Sequence, residues 1–224
     1  MAPRVLESFS ERLSTAARRR LELLGVEVRL GHAVEKIDAD GVIVAGERIP
    51  SQTVIWTAGV APSPAGKWLG VPTDRAGRVR VQADLSVPGH PEILVIGDTA
   101  SLDQDGRSLP GVAQVAIQQG RYAARLINRR ITGRPAPTPF RYFDKGSLAV
   151  VGKGFALLQS GKVQMAGFVA WLAWAEVHLQ FLAQSSLRLT VLVQWVWTYL
   201  TGQRGSRLIV NHRGSNPPKT GVGA

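Results

Sequence analysis

The chain has 224 residues, 45% hydrophobic and 19% charged, which is long and apolar enough for a sizeable core in one large or two small domains and unlike a disordered polymer. Its formal net charge of +11 favours an anionic partner, whether nucleic acid, an acidic protein or an anionic membrane, without choosing among them. The absence of cysteine excludes disulfide exchange, thiolate nucleophiles, thiolate-bound zinc and cysteine-ligated iron–sulfur clusters, and the four scattered histidines, His32, His90, His178 and His212, form no HExxH pair, so no metal site is expected.

The N-terminal MAPRVLESFSERLS is charged and lacks the apolar core of a signal peptide. Leu6, Phe9, Leu13, Ala17, Leu21 and Leu24 recur at helical spacing, so residues 6–24 read as a helix stopped by Gly25. VEVRL (26–30) alternates as a half-buried strand. VEKIDADGVIVAGERIPSQTVIWTAG then predicts a hairpin turning at Asp40-Gly41, a second bend at Gly46-Glu47, and a buried strand over 53–56 that ends at Thr57-Ala58-Gly59. Residues 62–71 read as a Pro/Gly-rich crossover, and RVRVQADL (78–85) as another strand. PEILVIGDTA places a short buried strand at 93–96 that stops at Gly97-Asp98. Gly111 precedes a long helix, 112–131, and GRPAPTPF (133–140) is a linker. FRYFDKGSLAVVGKGFALLQSGKVQMAG predicts two or three antiparallel strands with glycine turns; residues 167–200 are rich in Trp and Leu; the tail, NHRGSNPPKTGVGA, is expected to be disordered. No internal repeat is visible. No GxGxxG or GxGxxA follows any predicted strand, since Gly152-Lys153-Gly154 lacks both the third glycine and the following helix.

No run reaches the ~20 apolar residues that span a bilayer. The longest charge-free stretch near the C-terminus, 189–203, is 15 residues closed by Arg188 and Arg204. It suits an interface better than a span. Phe168, Trp171, Leu172, Ala175 and Leu179 make an apolar stripe at helical spacing, with Glu176, His178 and Gln180 off it. Trp195, Trp197 and Tyr199 suit the headgroup level, and Arg188, Arg204, Arg207 and Arg213 suit anionic lipid. A core or dimer-contact helical pair is the plainer alternative.

TVIWTAGVAP, EILVIGDTA, GVAQVAIQQG and FDKGSLAVVGKG stand here in the order and at about the spacing of the type II NADH dehydrogenases, which the chain resembles over residues 3–212. The C-terminal WLAWAEVHLQFL and VQWVWTYLTGQRGSRLI resemble that family's membrane-anchoring end. The Gly-Asp and Thr-Ala-Gly pieces are shared with many flavoproteins of two dinucleotide domains; the AQxAxQQG stretch with the Trp-rich end is more specific. The resemblance implies an α/β fold, an incomplete two-dinucleotide-domain (Rossmann-like) flavoprotein with C-terminal membrane-anchoring helices. It implies electron transfer from NADH through FAD to a membrane quinone. The family's two glycine-rich loops, for FAD and NADH, are absent, so the chain looks like the C-terminal half of a longer protein whose Met1 is a misassigned start, a truncation or a split gene. The expected organisation is the end of an NAD(H) domain (1–60), the end of an FAD domain (61–135), C-terminal strands and anchoring helices (136–212), and the tail (213–224).

Under this resemblance Asp98 accepts a hydrogen bond from a ribitol hydroxyl of FAD, with Gly97 allowing close approach; alone, Gly-Asp is an ordinary strand-to-loop turn. The N–H groups near Ala113 and Gln114 face the flavin pyrimidine oxygen, where a helix dipole favours negative charge. Gln114 and Gln118, at i and i+4, share a face and suit a quinone carbonyl and its quinol; otherwise they are solvated glutamines. Lys145 lies near flavin or quinone, or is a turn lysine facing water. Thr57, Ala58 and Gly59 mark the crossover between the domains, near cofactor. The implied setting is monotopic, on the cytoplasmic face of the inner or plasma membrane, with a separate N-terminal half or a homodimer as partner. Related sulfide:quinone and disulfide reductases need cysteines. The remaining alternative is a truncated, non-enzymatic basic protein that binds membrane or nucleic acid; the dispersed Arg and Lys, and aromatics set among aliphatics, suit lipid better than base stacking.

Overall fold

The computed structural model describes residues 2–57, 59–182 and 185–202; Ala58, Arg204, Arg207, Arg213 and the tail lie outside the described residues. In chain order the elements are helix α1 (Glu11–Leu23), strands β1 (Val34–Asp38), β2 (Gly41–Val44) and β3 (Glu47–Pro50), short helix α2 (Ala65–Leu69), strands β4 (Val79–Arg80), β5 (Ser86–Val87) and β6 (His90–Leu94), a 3-10 turn (Gly97–Thr99), strands β7 (Ala100–Ser101), β8 (Asp103–Gln104) and β9 (Arg107–Ser108), helix α3 (Ala113–Ile131), strands β10 (Ser147–Val150), β11 (Ala156–Ser160) and β12 (Val163–Gly167), and helices α4 (Phe168–Gln180) and α5 (Ser185–Thr201). The sheets run β1-β2-β3, β10-β11-β12, β4-β7, β5-β6 and β8-β9. Two compact units result, one from residues up to 148 together with 158–164, the other from 149–157 and from 165 onward.

In the first unit α1 begins at Glu11, later than its apolar spacing predicts. Leu6 takes a φ of +51°, and the Phe9 N–H closes a turn on the Leu6 carbonyl at 2.9 Å, which breaks the helical path. Phe9, Leu13 and Ala17 remain its buried stripe. The hairpin region is a three-stranded antiparallel meander. Its second turn is Ala45-Gly46, one residue earlier than expected, with φ of +53° and +76° as a type I′ turn requires. Gly41 opens β2 at φ +137°, where an added Cβ would run into the Ile49 carbonyl oxygen.

The strands expected at 26–30 and 53–56 do not form. Ile55 is 80% and Trp56 61% exposed. An extended segment becomes a strand only when a neighbour takes its N–H and C=O groups, and no described strand lies beside either segment. The strand expected at 78–85 reduces to β4, which pairs in parallel with β7. β4 stops at Arg80, and further on Asp84 turns the chain: its Oδ1 accepts from the Ser86 N–H at 3.0 Å and the Ser86 hydroxyl at 2.6 Å, an Asx turn that alternation alone conceals. Leu85, left-handed at φ +66° and wholly buried, passes the chain into β5. The apolar strand before Gly97 is also displaced: β6 starts at His90, pairs antiparallel with β5 and ends at Leu94. Ile96, expected to be buried, is 39% exposed.

Helix α3 forms over the expected residues, and the segment after it is irregular, as its prolines dictate. Val115, Tyr122 and Leu126 of α3 pack with Leu85, Leu102, Leu109 and Phe140, the Tyr122 and Phe140 rings meeting edge-on at 5.7 Å. Val79, Val87, Val95 and Ala100 form a second cluster. Beside it Arg78 donates to Asp74 Oδ2 at 2.7 Å, to the Leu109 carbonyl at 2.9 Å and to Ser108 Oγ at 3.0 Å, so one guanidinium joins two loops.

In the second unit α4 is apolar over most of its circumference, with Glu176, His178 and Gln180 exposed toward its end. Ala170 and Leu179 are its buried residues, while Phe168 and Leu172 of the apolar stripe are each 49% exposed. Aromatic rings connect it to α5: Trp174 stacks on Trp195 at 5.5 Å, and Trp171 lies 5.5 Å from Tyr199. No helix among the described residues is long and apolar enough to cross a membrane.

Two predictions follow from local backbone and charge. Ala45→Asn should relieve the left-handed alanine and stabilise the hairpin by about 1 kcal/mol, read as slower hydrogen exchange of the β2–β3 amides. Burial pushes the Asp74 carboxyl up, but the backbone N–H and guanidinium of Arg78 outweigh it and hold it at about 2. The stability this contributes is complete above the ordinary carboxylate value near ~4 and is lost as pH falls through about 2. Wild type should therefore exceed Asp74→Asn by on the order of 2 kcal/mol at neutral pH, the gap closing across that acid window in urea titrations.

Candidate functional site

The site is built where the chain leaves β6. Val95 is buried, its N–H bonded to the Leu85 carbonyl at 3.0 Å, and Ile96 is extended at φ −137°. Gly97 then takes φ +69°, a conformation that a side chain rarely adopts, and opens the 3-10 turn that carries Asp98. The Gly97 N–H donates to Gln119 Oε1 at 2.6 Å, and Gln119 is only 1% exposed. Ala116 and Gly120 flank that contact: a Cβ on Gly97 would lie 3.5 Å from the Ala116 methyl, and one on Gly120 4.0 Å from Ile96 Cδ1. AQVAIQQG thus places a methyl, an acceptor and a glycine at i, i+3 and i+4, the face of α3 that receives residues 96–97.

Asp98 is exposed and, among the described residues, its carboxylate accepts no hydrogen bond. Gly111 stands next to it, where an added Cβ would be 3.5 Å from Asp98 Oδ1. Helix α3 begins two residues later without a side-chain cap and without an acidic residue in its first turn. The N–H groups of Ala113 and Gln114 belong to that first turn and have no intrahelical acceptor. A free carboxylate and an uncapped helix N-terminus are therefore neighbours, an arrangement that can accept from hydroxyls on one side and donate to an anionic oxygen on the other.

The two glutamines on the other face differ. Gln114 is half-buried, and its amide has no hydrogen bond among the described residues. Gln118 is fully engaged: it donates to the Phe143 carbonyl at 2.9 Å and accepts from the Phe143 N–H at 3.0 Å. Gln104 grips the preceding residue in the same way, accepting from the Tyr142 N–H at 2.8 Å and donating to its carbonyl at 3.2 Å. Past them Gly146 N–H bonds Asp144 Oδ1 at 2.8 Å, and Ser160 Oγ donates to the Lys145 carbonyl at 3.0 Å. Lys145 is exposed and lines, with Gln118, a cleft of about 630 Å³. Thr57 and Gly59 are exposed, with the Gly59 N–H turned back to the Thr57 carbonyl at 3.0 Å, and no hydrogen bond joins either to the Gly97–Asp98 turn; Ala58 lies outside the described residues.

Gln119 and Gln104 were not singled out from the sequence. Gln119 carried a signal, since it falls on the buried stripe of Val115, Tyr122 and Leu126; Gln104 carried none. Gln119→Leu should cost about 1 kcal/mol or more in urea unfolding, because it leaves the half-buried Gly97 N–H without its acceptor. Gln118→Ala should cost about 1 kcal/mol or less, with faster hydrogen exchange at Phe143 as its signature.

Residues 1–120 match the family described as pyridine nucleotide-disulphide oxidoreductase. The type II NADH:quinone oxidoreductase Ndh of Mycobacterium tuberculosis is 40% identical over 223 residues, 95% of this chain and 47% of its own length. The internal alternative NAD(P)H-ubiquinone oxidoreductase A1 of Arabidopsis thaliana mitochondria is 31% identical over 222 residues, 91% of this chain and 44% of its own. The chain thus spans about half the length of the curated relatives it matches. Among solved structures, NDH2 from Plasmodium falciparum in complex with NADH superposes with a TM-score of 0.77 at 16% identity, over 91% of this chain and 57% of that one, which shows a shared fold. With the Rossmann-like α/β fold, the family match and the similarity to type II NADH:quinone oxidoreductases that its motifs carried, the chain belongs to the pyridine nucleotide-disulphide oxidoreductase family.

Proposed function

We propose that this chain forms part of an FAD-dependent enzyme that passes electrons from NADH to a membrane quinone. The observation that carries the reading is the pairing of the open Asp98 carboxylate with the uncapped start of α3, held together through Gln119 and Gly97. The family name includes disulphide chemistry, but a chain without cysteine supplies no redox thiol of its own.

The residues present fit the ribityl and pyrimidine side of a flavin. Asp98 would accept from ribitol hydroxyls, and Gly97, with no Cβ, leaves the backbone open to a close neighbour. The Ala113 and Gln114 N–H groups would donate to the pyrimidine carbonyl, and the helix dipole would favour negative charge there. When bound, FAD would supply the two-electron relay between NADH and quinone. Gln114, whose amide is uncommitted, is the better quinone ligand; Gln118 is a positioning residue, because both ends of its amide hold Phe143. Lys145, exposed beside Gln118, would offer positive charge to an anionic reduced ring or quinol. Thr57, Ala58 and Gly59 are assigned to the passage between the dinucleotide domains. No loop of this chain is assigned to either pyrophosphate.

The exposed apolar surface of α4 and α5, including Val169, Leu189, Val193, Trp197 and Leu200, supports monotopic attachment to a membrane at its cytoplasmic face. A complementary half carrying the pyrophosphate loops would complete the enzyme; a second copy is a partner for assembly, not a source of those loops.

Purified by itself, the chain is expected to carry far less than one flavin per protein and to show no NADH:quinone turnover. Co-expressed with the N-terminal half of the Mycobacterium tuberculosis relative, it is expected to retain flavin and reduce quinone. Asp98→Ala should lower flavin retention in that pair by about tenfold, the loss of a charge-assisted hydrogen bond. Unchanged flavin in Asp98→Ala would remove Asp98 from the site, and full turnover by the isolated chain would refute the need for a complementary half.

A further inference from the structure

The cleft of about 630 Å³ between the outer face of α3 and the segment after Phe140 is lined by Arg121, Arg125, Arg141 and Lys145, with Gln118 and Phe143 among its other walls and no carboxylate on its surface. Its volume falls within the range of small-molecule sites.

The charges of α3 are not of one kind. The helix carries four arginines and no acidic residue. Arg129 and Arg130 sit in its last turn, where the dipole favours cations, and both are bonded: Arg129 to the Pro135 carbonyl at 3.1 Å, Arg130 to the Pro91 carbonyl at 2.7 Å. Arg121 and Arg125 have neither explanation. They lie mid-helix, four residues apart on one face, where like charges repel. Among the described residues neither has an ion pair or a hydrogen bond. The facing wall brings in Arg141, whose one anionic contact is Asp105 at 2.8 Å on an exposed pair, and then Lys145.

That wall is held in place. Gln104 and Gln118 each clamp one backbone residue through two hydrogen bonds, at Tyr142 and Phe143, and Phe140 N–H bonds the Ala83 carbonyl at 2.8 Å. The backbone that carries Arg141 is therefore set against α3, which keeps the three arginines facing one cleft. Phe143, 70% exposed, adds an apolar face at the edge.

We propose that this cleft binds a phosphate-bearing ligand, the anion lying between Arg121 and Arg125 on α3 and Arg141 opposite. Phosphate suits guanidinium forks better than a lone carboxylate does, because its several oxygens can take more than one of them. The source is either a phospholipid headgroup or a soluble phosphate. The site rests on the arginines, not on the flavin reading, and is tested by binding rather than turnover.

The test compares the full chain with Arg121→Gln/Arg125→Gln and with a charge-matched control, Arg19→Gln/Arg75→Gln, which changes exposed arginines elsewhere. One arm measures sedimentation with vesicles of phosphatidylcholine alone and of phosphatidylcholine with phosphatidylglycerol. The other measures inorganic pyrophosphate by calorimetry. The cleft variant should lose about tenfold or more in one arm, and the control less than about threefold. Loss confined to the phosphatidylglycerol vesicles identifies a headgroup site; loss in the pyrophosphate titration identifies a soluble ligand. Arg121→Lys/Arg125→Lys should recover part of the binding, the charge without the fork, which separates lost charge from lost structure. Equal behaviour of the cleft variant and the control, or binding of neither ligand by the wild-type chain, overturns the proposal.

Discussion

The candidate site in the first unit depends on one hydrogen bond, made by a side chain that solvent does not reach. Gln119, almost fully buried on α3, accepts the Gly97 N–H at 2.6 Å. It does so where β6 has ended and the backbone has lost its ladder partners. A buried amide oxygen without a donor is costly, and the half-buried Gly97 N–H supplies one. The consequence is positional. Because Gly97 is tied to α3 from below, Asp98, the next residue, is delivered to the helix's start. The functional reading depends on that proximity, and neither the strand nor the helix could produce it alone.

The same device recurs around the site. Gln104 and Gln118 use both ends of their amides to hold consecutive residues, Tyr142 and Phe143, in a segment with no regular structure. Glutamine suits this work because one planar group donates and accepts at once, replacing the two bonds that a neighbouring strand would supply. Arg78 acts likewise through a guanidinium, holding Asp74, Leu109 and Ser108. Short strands leave much backbone unpaired by ladders, and long polar side chains take up the difference. The loops that carry Asp98 and Lys145 are thereby supported from within the same unit.

The second unit is organised differently. Its helices are not amphipathic in the usual sense, since apolar residues occupy nearly every side of α4 and much of α5. Aromatic stacking of Trp174 on Trp195, and of Trp171 against Phe168 and Tyr199, ties the two together. Tryptophan and tyrosine combine a large apolar body with a polar edge, which allows one cluster both to join two helices and to meet an interface. What remains exposed on these helices is largely apolar, aliphatic and aromatic, and such a surface calls for a covering.

Much of this was legible beforehand, and the boundary follows a physical line. The span of α3 could be read because helical periodicity, the preceding Gly111 and the following prolines are local signals. The antiparallel strands after Phe143, the β1–β3 meander and the family resemblance were also legible, from patterns within a few tens of residues. The failures were strands at 26–30 and 53–56, whose existence requires a neighbour that local pattern cannot supply, and the strand over 78–85, which Asp84 turns aside. On α4 the period marked an apolar stripe, but period alone does not say whether such a stripe meets a core or an interface. At the site, the sequence by itself determined that Asp98 follows a strand and that Gln114 and Gln118 share a face. Only the tertiary structure decided that Gln118 is spent on Phe143 while Gln114 is not, and that Gln119, one residue along, holds the Gly-Asp turn. A hydrogen-bonding side chain's role is set by which partners lie within about 3 Å, and those partners come from residues distant in the chain.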